Sequence, residues 1–455
     1  MRINPYRIIL LTTCTMVLLW SLRRDIRLEK DYTGDLRNRV VGARLVEDGA
    51  SPYFYKWKKG DSIRYYDPQN FDSLAVSNIT GTPFFHHLLR PLADLSQRQI
   101  SLIWLALEYV LFIVLVTLAF RLAATEKAKM IVLVFSCLFL LTDGWKALIF
   151  AGQIYLWLPF LAMLFFMLSR PPGSWRHGVA AGVLVAGIIL LRPNAILFFL
   201  PFLLWVYRGI YARSFLLAAL APVLLSAAWI LGSSHEYALW KDYGKAMGEQ
   251  VKVHQGLHPV IQRNEPDPDI RWWEGIDRQQ AREWEKNDPT KIYSENGNVF
   301  VIVRQLFHRN LSVEFLGIAA VAIILLLTGL FYWRWHDTAG AADVAKTILL
   351  GYCLYMISDL FSPVFRHQYY TVQWIFPILL AAILYRPSWK GAYWVLLAGL
   401  LLNIVPPGMI GIRMAHTLGE YMILTALLYL SFTPAGVEKW DNLRKLNTGK
   451  TSGIR

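Results

Sequence analysis

The chain has 455 residues, 55% of them hydrophobic, and its mean hydropathy is +0.36. Because this exceeds the roughly 45–50% apolar usage of soluble domains, the composition excludes an ordinary soluble protein. The net charge of +14 does not indicate a nucleic-acid partner, since the basic residues are scattered over short connections between apolar runs instead of forming one basic face.

The apolar runs predict an all-α polytopic membrane protein with about twelve transmembrane helices. They lie near residues 6–22, 100–120, 130–142, 153–168, 178–191, 194–207, 214–231, 315–332, 346–361, 370–385, 391–403 and 418–432. The chain therefore divides into a first transmembrane helix (1–22), an outer loop (23–99), transmembrane helices (100–232), a large outer loop (233–314), C-terminal transmembrane helices (315–432) and a cytoplasmic tail (433–455). No small-residue cleavage site follows the first run, which favours an uncleaved span.

Basic residues predict the orientation, because inner loops of membrane proteins are enriched in Lys and Arg. With the N-terminus inside, short outer connections hold only Lys146, Arg192, Arg366 and Arg413. Inner connections and the tail hold the larger set: Arg121, Lys127, Lys129, Arg170, Arg176, Arg208, Arg213, Arg334, Lys346, Arg386, Lys390, Lys439, Arg444 and Lys445. We therefore expect cytoplasmic termini and two long loops facing the periplasm or the exterior, as in a bacterial plasma (inner) membrane protein.

The first outer loop contains two predicted helices, over residues 36–48 and 84–95. In the first, apolar residues share one face and Arg37, Arg39 and Arg44 share the other, a pattern typical of a helix in the membrane interface. In the second, Pro91 is expected to kink or break the helix. An ordinary packed surface helix fits both patterns equally well.

The second outer loop is rich in Trp, with members at Trp240, Trp272, Trp273 and Trp284. Trp rings stack on sugars, but they also anchor proteins at the membrane surface, and we favour anchoring or packing. Asp267 and Asp269 are interpreted as a solvated acidic turn in preference to a calcium site.

Three outer positions combine charge with apolar surroundings. They are the pair Asp31 and Asp35, then Arg192, and finally the segment 362–368 with Arg366 and His367. If they converge, a carboxylate can take a proton from a nucleophile while cations hold a leaving phosphate. That chemistry suits group transfer from a lipid-linked phosphate.

Each of these residues also has a simpler interpretation. Asp35 can pair with Arg37 or Arg39 at the surface, Arg192 can extend to the interface from a helical hairpin, and His367 can cap a helix. Glu108 lies within an apolar run, where acids are rare and often functional, but we favour an interhelical hydrogen bond. The adjacent His86 and His87 make a poor metal pair, and no metal-binding motif is found in the sequence.

Three blocks of sequence resemble the GT-C glycosyltransferases, and especially glycosyltransferase family 87, the polyprenol-phosphate-mannose-dependent mannosyltransferases. The first is DLRNRVVGARLVEDGASPY at residues 35–53. The second comprises GQIYLWL at 152–158, AGV at 181–183 and LRP at 191–193. The third is SPVFRHQYY at 362–370, followed by Trp374 and Pro377. The blocks occur in the order in which the family has them, although the family more often has Lys at the position of Arg192.

The resemblance implies a GT-C fold with outward-facing interfacial helices. It implies that Asp35 is the general base and that His367, Arg366 and Arg192 lie near the donor phosphate. Tyr53, Gln153 and Gln368 lie in these blocks and are further substrate-binding candidates. Asp31 has no counterpart in the family pattern, and it is interpreted as a substrate contact, a partner of Asp35 or a solvated turn residue. The implied reaction is inverting transfer of a mannose or another hexose or pentose from a polyprenyl-phosphate donor to a hydroxyl of a lipid or glycan acceptor. The resemblance implies that the reaction needs no metal or other cofactor. It also implies that membrane lipids surround the protein.

Two alternatives come from other classes. A transporter or flippase of lipid-linked sugars would also have many spans, but it would place polar residues near the midplane, often in paired broken helices. A polysaccharide ligase or polymerase would transfer a glycan from a lipid diphosphate with Arg and His in outer loops. The block at Asp35 disfavours the second alternative, and the clustering of charges at the outer interface disfavours the first.

Overall fold

A computed structural model describes residues 5–29, 34–58, 60–67, 76–169, 173–203, 212–254, 297–335, 341–364, 366–385, 390–405 and 414–433. The regular structure in these ranges is helical and includes no β-strand. The α-helices are α1 (Pro5–Glu29), α2 (Gly34–Glu47), α3 (Pro83–Leu89), α4 (Gln97–Leu122), α5 (Glu126–Leu141), α6 (Asp143–Ala151), α7 (Trp157–Leu168), α8 (Trp175–Leu191), α9 (Arg213–Gly232), α10 (Ser234–His254), α11 (Val299–Phe307), α12 (Val313–Trp335), α13 (Ala341–Leu360), α14 (Ile375–Leu384), α15 (Lys390–Leu402) and α16 (Ala415–Phe432). Short 3₁₀ helices occupy Ile63–Tyr65, Arg90–Leu92, Pro193–Phe199 and Gln368–Trp374.

Helical structure occurs at each of the twelve predicted spans, but the span count is not confirmed. Three described helices, α4, α9 and α12, are long and apolar enough to cross a membrane by length and composition. The pair α5 and α6, bent by 58°, would make a fourth. The apolar helices α7, α8 and α15 have only 12, 17 and 13 residues, so all three are shorter than the ~20 residues that an upright span needs.

The distribution of burial fits a bundle within a bilayer. The helices α13 and α14 form the centre, where residues such as Ile348, Cys353 and Leu379 are fully buried. In contrast, α9 buries only Phe215 among its described side chains, and α12 leaves most of its apolar surface exposed. A soluble protein rarely exposes so much contiguous apolar surface, which indicates that lipid covers these helices.

Helix α2 corrects the expectation of an amphipathic helix at the membrane interface. Every residue from Leu36 to Val46 is buried, including the three arginines. Arg37 pairs with Asp67 at 3.0 Å with both side chains buried, and Arg44 donates hydrogen bonds to the carbonyls of Ala93 (2.7 Å) and Arg64 (3.0 Å). The charged face thus contacts polar groups of the rest of the first outer loop and not the solvent.

Two further expectations from the sequence have clear outcomes. Helix α3 ends at Leu89, and a 3₁₀ turn containing Pro91 follows, as expected from the missing N–H of proline. In the second outer loop the described residues include helix α10 and, later, α11. Trp272, Trp273, Trp284, Asp267 and Asp269 lie outside the described residues.

Candidate active site

A cavity of about 530 Å³ lies between residues 35–85, helix α10, the C-terminal ends of α6 and α8 and the segment 362–370. Its volume falls within the range of ~300–1,000 Å³ that is usual for small-molecule sites. Five of the residues singled out in the sequence line it: Asp35, Gln153, Arg192, His367 and Gln368. The three outer positions therefore meet in one cavity, although they are far apart in the chain.

Asp35 lies in the first turn of α2, where the helix dipole favours a negative charge. The side-chain amide of Gln153 donates a short hydrogen bond to its carboxylate. The guanidinium of Arg39, one turn further along the helix, is 4.0 Å from the same carboxylate oxygen. Because the Asp35 side chain remains 35% exposed, the carboxylate is held on one side and accessible on the other.

Gly152 explains how Gln153 reaches Asp35. Its φ of +64° ends helix α6 in the left-handed region. The N–H of Gly152 bonds to the carbonyl of Ile149 and that of Gln153 to Leu148, both at 3.1 Å, which is the Schellman arrangement. A Cβ at Gly152 would lie 2.5 Å from the Cβ of Leu36. A glycine is therefore required both for the backbone conformation and for the close approach of α6 to α2.

Arg192 follows the last residue of α8, a helix held close to α9 by two glycines. A Cβ at Gly178 or Gly182 would lie within 2.4 Å of backbone atoms of α9, the kind of contact that small residues permit between membrane helices. From this position Arg192 donates hydrogen bonds to the Tyr155 hydroxyl (2.9 Å) and to Asp359 (2.8 Å). Its guanidinium also lies 5.2 Å and 5.1 Å from the ring centroids of Tyr155 and Tyr370.

Two histidines line the cavity, His367 and His254. The His367 ring stacks on Tyr369 with centroids 5.1 Å apart. His254 is the last residue of α10, whose Gln250 donates a 3.0 Å hydrogen bond to the Ser77 carbonyl. Burial, together with the charge of nearby His367, lowers the pKa of His254 to about 4. His254 is therefore neutral at pH 7 and offers a hydrogen-bonding group without a charge.

Two predicted site residues do not line the cavity. Arg366 is buried beside it in a 2.5 Å ion pair with Glu420, and its guanidinium lies 5.1 Å from the ring centroid of Tyr370. Tyr53 is fully buried and donates a 3.0 Å hydrogen bond to the carbonyl of Gly81, a residue of the cavity wall. Both are thus placed to support lining residues and not to contact a ligand. Asp31 lies outside the described residues.

Two buried acids that support the site were missed in the sequence. Asp359, near the end of α13, accepts the hydrogen bond from Arg192, and Glu420 in α16 accepts those from Arg366 and Trp374. Each is an isolated carboxylate within an apolar run, and this feature of the sequence could have identified both as candidates for a buried polar contact. Glu108 itself accepts a 3.2 Å hydrogen bond from Trp157, an interhelical contact as expected.

The adjacent histidines of α3 point to different partners. His86 contacts the Arg39 carbonyl (3.1 Å) and His87 contacts Glu236 (2.9 Å). Within the described part of the chain, no group of three or more His, Cys, Asp or Glu side chains is arranged to hold a metal ion.

An apolar helical bundle with a carboxylate and guanidinium groups in one cavity is compatible with a membrane glycosyltransferase. Comparison with known proteins supports this class, because the model of Glycosyltransferase family 87 matches residues 80–255. The match confirms the resemblance found in the sequence. It includes Gln153, Arg192 and His254 but neither Asp35 nor His367.

No curated protein matches the chain. Among solved structures, the chain is similar to the apo form of the Archaeoglobus fulgidus oligosaccharyltransferase, with 12% sequence identity and a TM-score of 0.39. The alignment covers 96% of this chain and 58% of the other, so the present chain spans little more than half the length of that protein.

Proposed function

We propose that the protein transfers a single sugar from a polyprenyl-phosphate donor to a hydroxyl group of a lipid or glycan acceptor, on the outer face of a bacterial plasma membrane. The observation that carries the proposal is the shared cavity of Asp35, Arg192 and His367. A base at one part of the wall and cations at another are what displacement of a phosphate by a hydroxyl requires.

In the proposed reaction Asp35 takes the proton of the acceptor hydroxyl. The hydroxyl oxygen forms a bond to the anomeric carbon of the sugar as the bond from that carbon to the phosphate oxygen breaks. The electron pair of the broken bond leaves with the polyprenyl phosphate, and attack from the opposite side inverts the anomeric centre. The proton then passes from Asp35 to solvent.

The charge that develops on the leaving phosphate would be stabilised by Arg192 and His367. Arginine forms strong charge-assisted hydrogen bonds with phosphate oxygens, and such bonds contribute most when they strengthen in the transition state. We propose that these protein cations serve the purpose for which other transferases use a metal ion. Arg366 has an indirect part in this scheme, because it contacts the Tyr370 ring that also packs against Arg192.

The acceptor side of the cavity would be formed by the first outer loop and α10. Asn78, Thr80 and Gln250 are polar lining residues on these elements, and polar groups of this kind recognise sugar hydroxyls. Mannose is the sugar that the resemblance suggests, and a membrane-bound glycan or glycolipid is the acceptor class.

The proposal is tested with purified protein in proteoliposomes that contain extracted bacterial membrane lipids. Three labelled donors are compared: a polyprenyl-phosphate mannose, a polyprenyl-diphosphate sugar and a nucleotide sugar. We expect the monophosphate donor alone to be consumed, with a product of inverted anomeric configuration by NMR and a mass increase of one sugar. Consumption of the diphosphate donor alone would instead support a ligase, and movement of the intact donor between leaflets without consumption would support a flippase.

A further inference from the structure

Asp359 is the centre of a buried polar cluster behind the cavity wall. Its side chain is only 2% exposed. One carboxylate oxygen accepts hydrogen bonds from Arg192 (2.8 Å) and Asn194 (2.9 Å), and the other accepts one from Gln373 (3.3 Å). The three donors come from the segment after α8 and from the 3₁₀ helix Gln368–Trp374. A carboxylate with this many donors is fixed in one orientation.

Arg192 is fixed in turn. One terminal nitrogen donates to Tyr155 and the other to Asp359, while the guanidinium packs near the rings of Tyr155 and Tyr370. A guanidinium has two N–H groups on each terminal nitrogen, so one remains on each after these two bonds. The side chain is 23% exposed and lines the cavity, which makes it a preorganised cationic surface.

We propose that Asp359 is a positioning residue for the reaction: it holds the Arg192 guanidinium in the orientation that receives the donor phosphate. The inference rests on the proposed function, because it requires a phosphate in this cavity. Asp359 does not line the cavity and acts through Arg192. Orientation matters because guanidinium–phosphate recognition is directional. If a mobile arginine must be ordered when the phosphate binds, the free energy of that ordering weakens the affinity for the phosphate.

Removal of Asp359 has two effects of opposite sign on donor binding. Its negative charge lies near the Arg192 cation, so by charge alone its loss makes the cavity more positive and tightens the binding of an anionic donor. Its loss also frees Arg192 to leave its orientation, which weakens binding. We expect the second effect to dominate, because Asp359 supplies one of the two hydrogen bonds that hold the guanidinium.

Two substitutions separate these effects. Asp359→Ala removes both the charge and the acceptor oxygens, whereas Asp359→Asn removes the charge but keeps one oxygen that can accept from Arg192. With the polyprenyl-phosphate sugar as substrate, we expect Asp359→Ala to raise the donor KM by about tenfold or more, and Asp359→Asn to raise it less. If charge alone mattered, the two variants would behave alike and would bind the donor at least as tightly as the wild type, which would overturn the proposal.

A double-mutant cycle tests whether Asp359 acts through Arg192. In an Arg192→Ala background, the further change Asp359→Ala should alter the donor KM by less than about twofold, because the residue that it positions is already absent. Full additivity would contradict the proposal and would indicate a general structural role. Glu108→Gln is the matched control, since it alters another buried carboxylate that does not line the cavity. We expect it to leave the donor KM unchanged.

Asp359→Ala leaves the partly buried Arg192 guanidinium without its ion-pair partner and can prevent folding. Asn194→Ala is the milder variant, because it removes one donor that orients Asp359 and leaves the ion pair. We expect a smaller rise in donor KM with a monodisperse size-exclusion profile, and an unchanged KM in this folded variant would count against the proposal. If the wild type consumes no polyprenyl-phosphate sugar, the proposed function fails; if it does and these variants keep its donor KM, only the present inference fails.

Discussion

The side-chain amide of Gln153 donates a hydrogen bond to the carboxylate of Asp35 across 118 positions of the chain. The contact joins the turn after α6 to the first turn of α2 and fixes one side of the proposed base. The other side of Asp35 remains accessible in the cavity. The packing of the turn after α6 against α2 therefore orients the Asp35 carboxylate without a ligand.

We expect Gln153→Leu to lower kcat by roughly tenfold to a hundredfold, because a base that is no longer held samples unproductive orientations. The donor KM should change by less than about twofold, since the donor phosphate lies near other residues in the proposed scheme. Steady-state kinetics in proteoliposomes measures both constants. Gln97→Leu is the control, because Gln97 is a buried glutamine that does not line the cavity. A rise in KM without a fall in kcat would show that Gln153 binds the donor instead.

Gly152→Ala should destabilise the protein and reduce transfer. The left-handed conformation costs a residue with a Cβ roughly 1–2 kcal/mol, and the added methyl group would clash with Leu36. Thermal unfolding in detergent should show a lower Tm. Gly187→Ala is the control, because no atom beyond the adjacent backbone of its own helix lies within 4 Å of its added Cβ, and its mid-helix position predicts an unchanged or higher Tm. Equal Tm values for the two variants would contradict the position of α6 against α2.

Arg37→Leu should lower the free energy of unfolding by about 3–5 kcal/mol, because it leaves Asp67 as a buried charge without this partner. The expectation from the sequence, a surface arginine, predicts a loss of only ~0–1 kcal/mol. Lys129→Ala provides the comparison, since Lys129 forms an ion pair with the exposed Glu126. This substitution should lower the free energy of unfolding by no more than ~1 kcal/mol. Denaturant titration in mild detergent distinguishes the two, and a small effect of Arg37→Leu would show that α2 is exposed.

The burial of His86 predicts that the folded protein loses stability in mild acid. It is fully buried, and burial lowers its pKa to about 3 from the ordinary value of 6.5. Because the unfolded chain then binds a proton that the folded protein does not, stability is fully present above pH 6.5 and falls as the pH decreases toward 3. At pH 5.5 the loss from this residue alone is about 1.4 kcal/mol.

The variant His86→Gln tests this prediction through its pH dependence. The variant is less stable at pH 7 if the hydrogen bond to the Arg39 carbonyl is lost, but its free energy of unfolding should fall less steeply between pH 7 and pH 5.5 than that of the wild type. The same slope in both proteins would mean that His86 is protonated, and therefore not buried, in the folded state.

The sequence predicted the helical membrane fold and five of the residues that line the cavity, because both follow from local patterns. Apolar runs report burial in lipid or protein whatever the tertiary contacts are. Asp35, Gln153, Arg192 and His367 were each recognisable within a short block, and the structure brings all four to one cavity. Their roles remain predictions.

What the sequence did not predict depends on contacts between distant segments. The burial of Arg37 requires Asp67, and the arrangement of Arg192 requires Asp359, 167 positions away. Neither pairing leaves a periodic signal. Likewise, Arg366 was expected near the donor phosphate because it lies in the same sequence block as His367. Only the folded chain shows that Arg366 pairs with Glu420 and does not line the cavity.

The most direct test of the account is the rate of sugar transfer by Asp35→Asn in proteoliposomes supplied with a labelled polyprenyl-phosphate sugar. The substitution preserves the size and hydrogen-bonding oxygen of the side chain but removes its capacity to take a proton. We predict a fall in kcat of about a hundredfold or more, with an unchanged size-exclusion profile and donor binding retained. Transfer by Asp35→Asn at a rate near that of the wild type would contradict the assignment of Asp35 as the base.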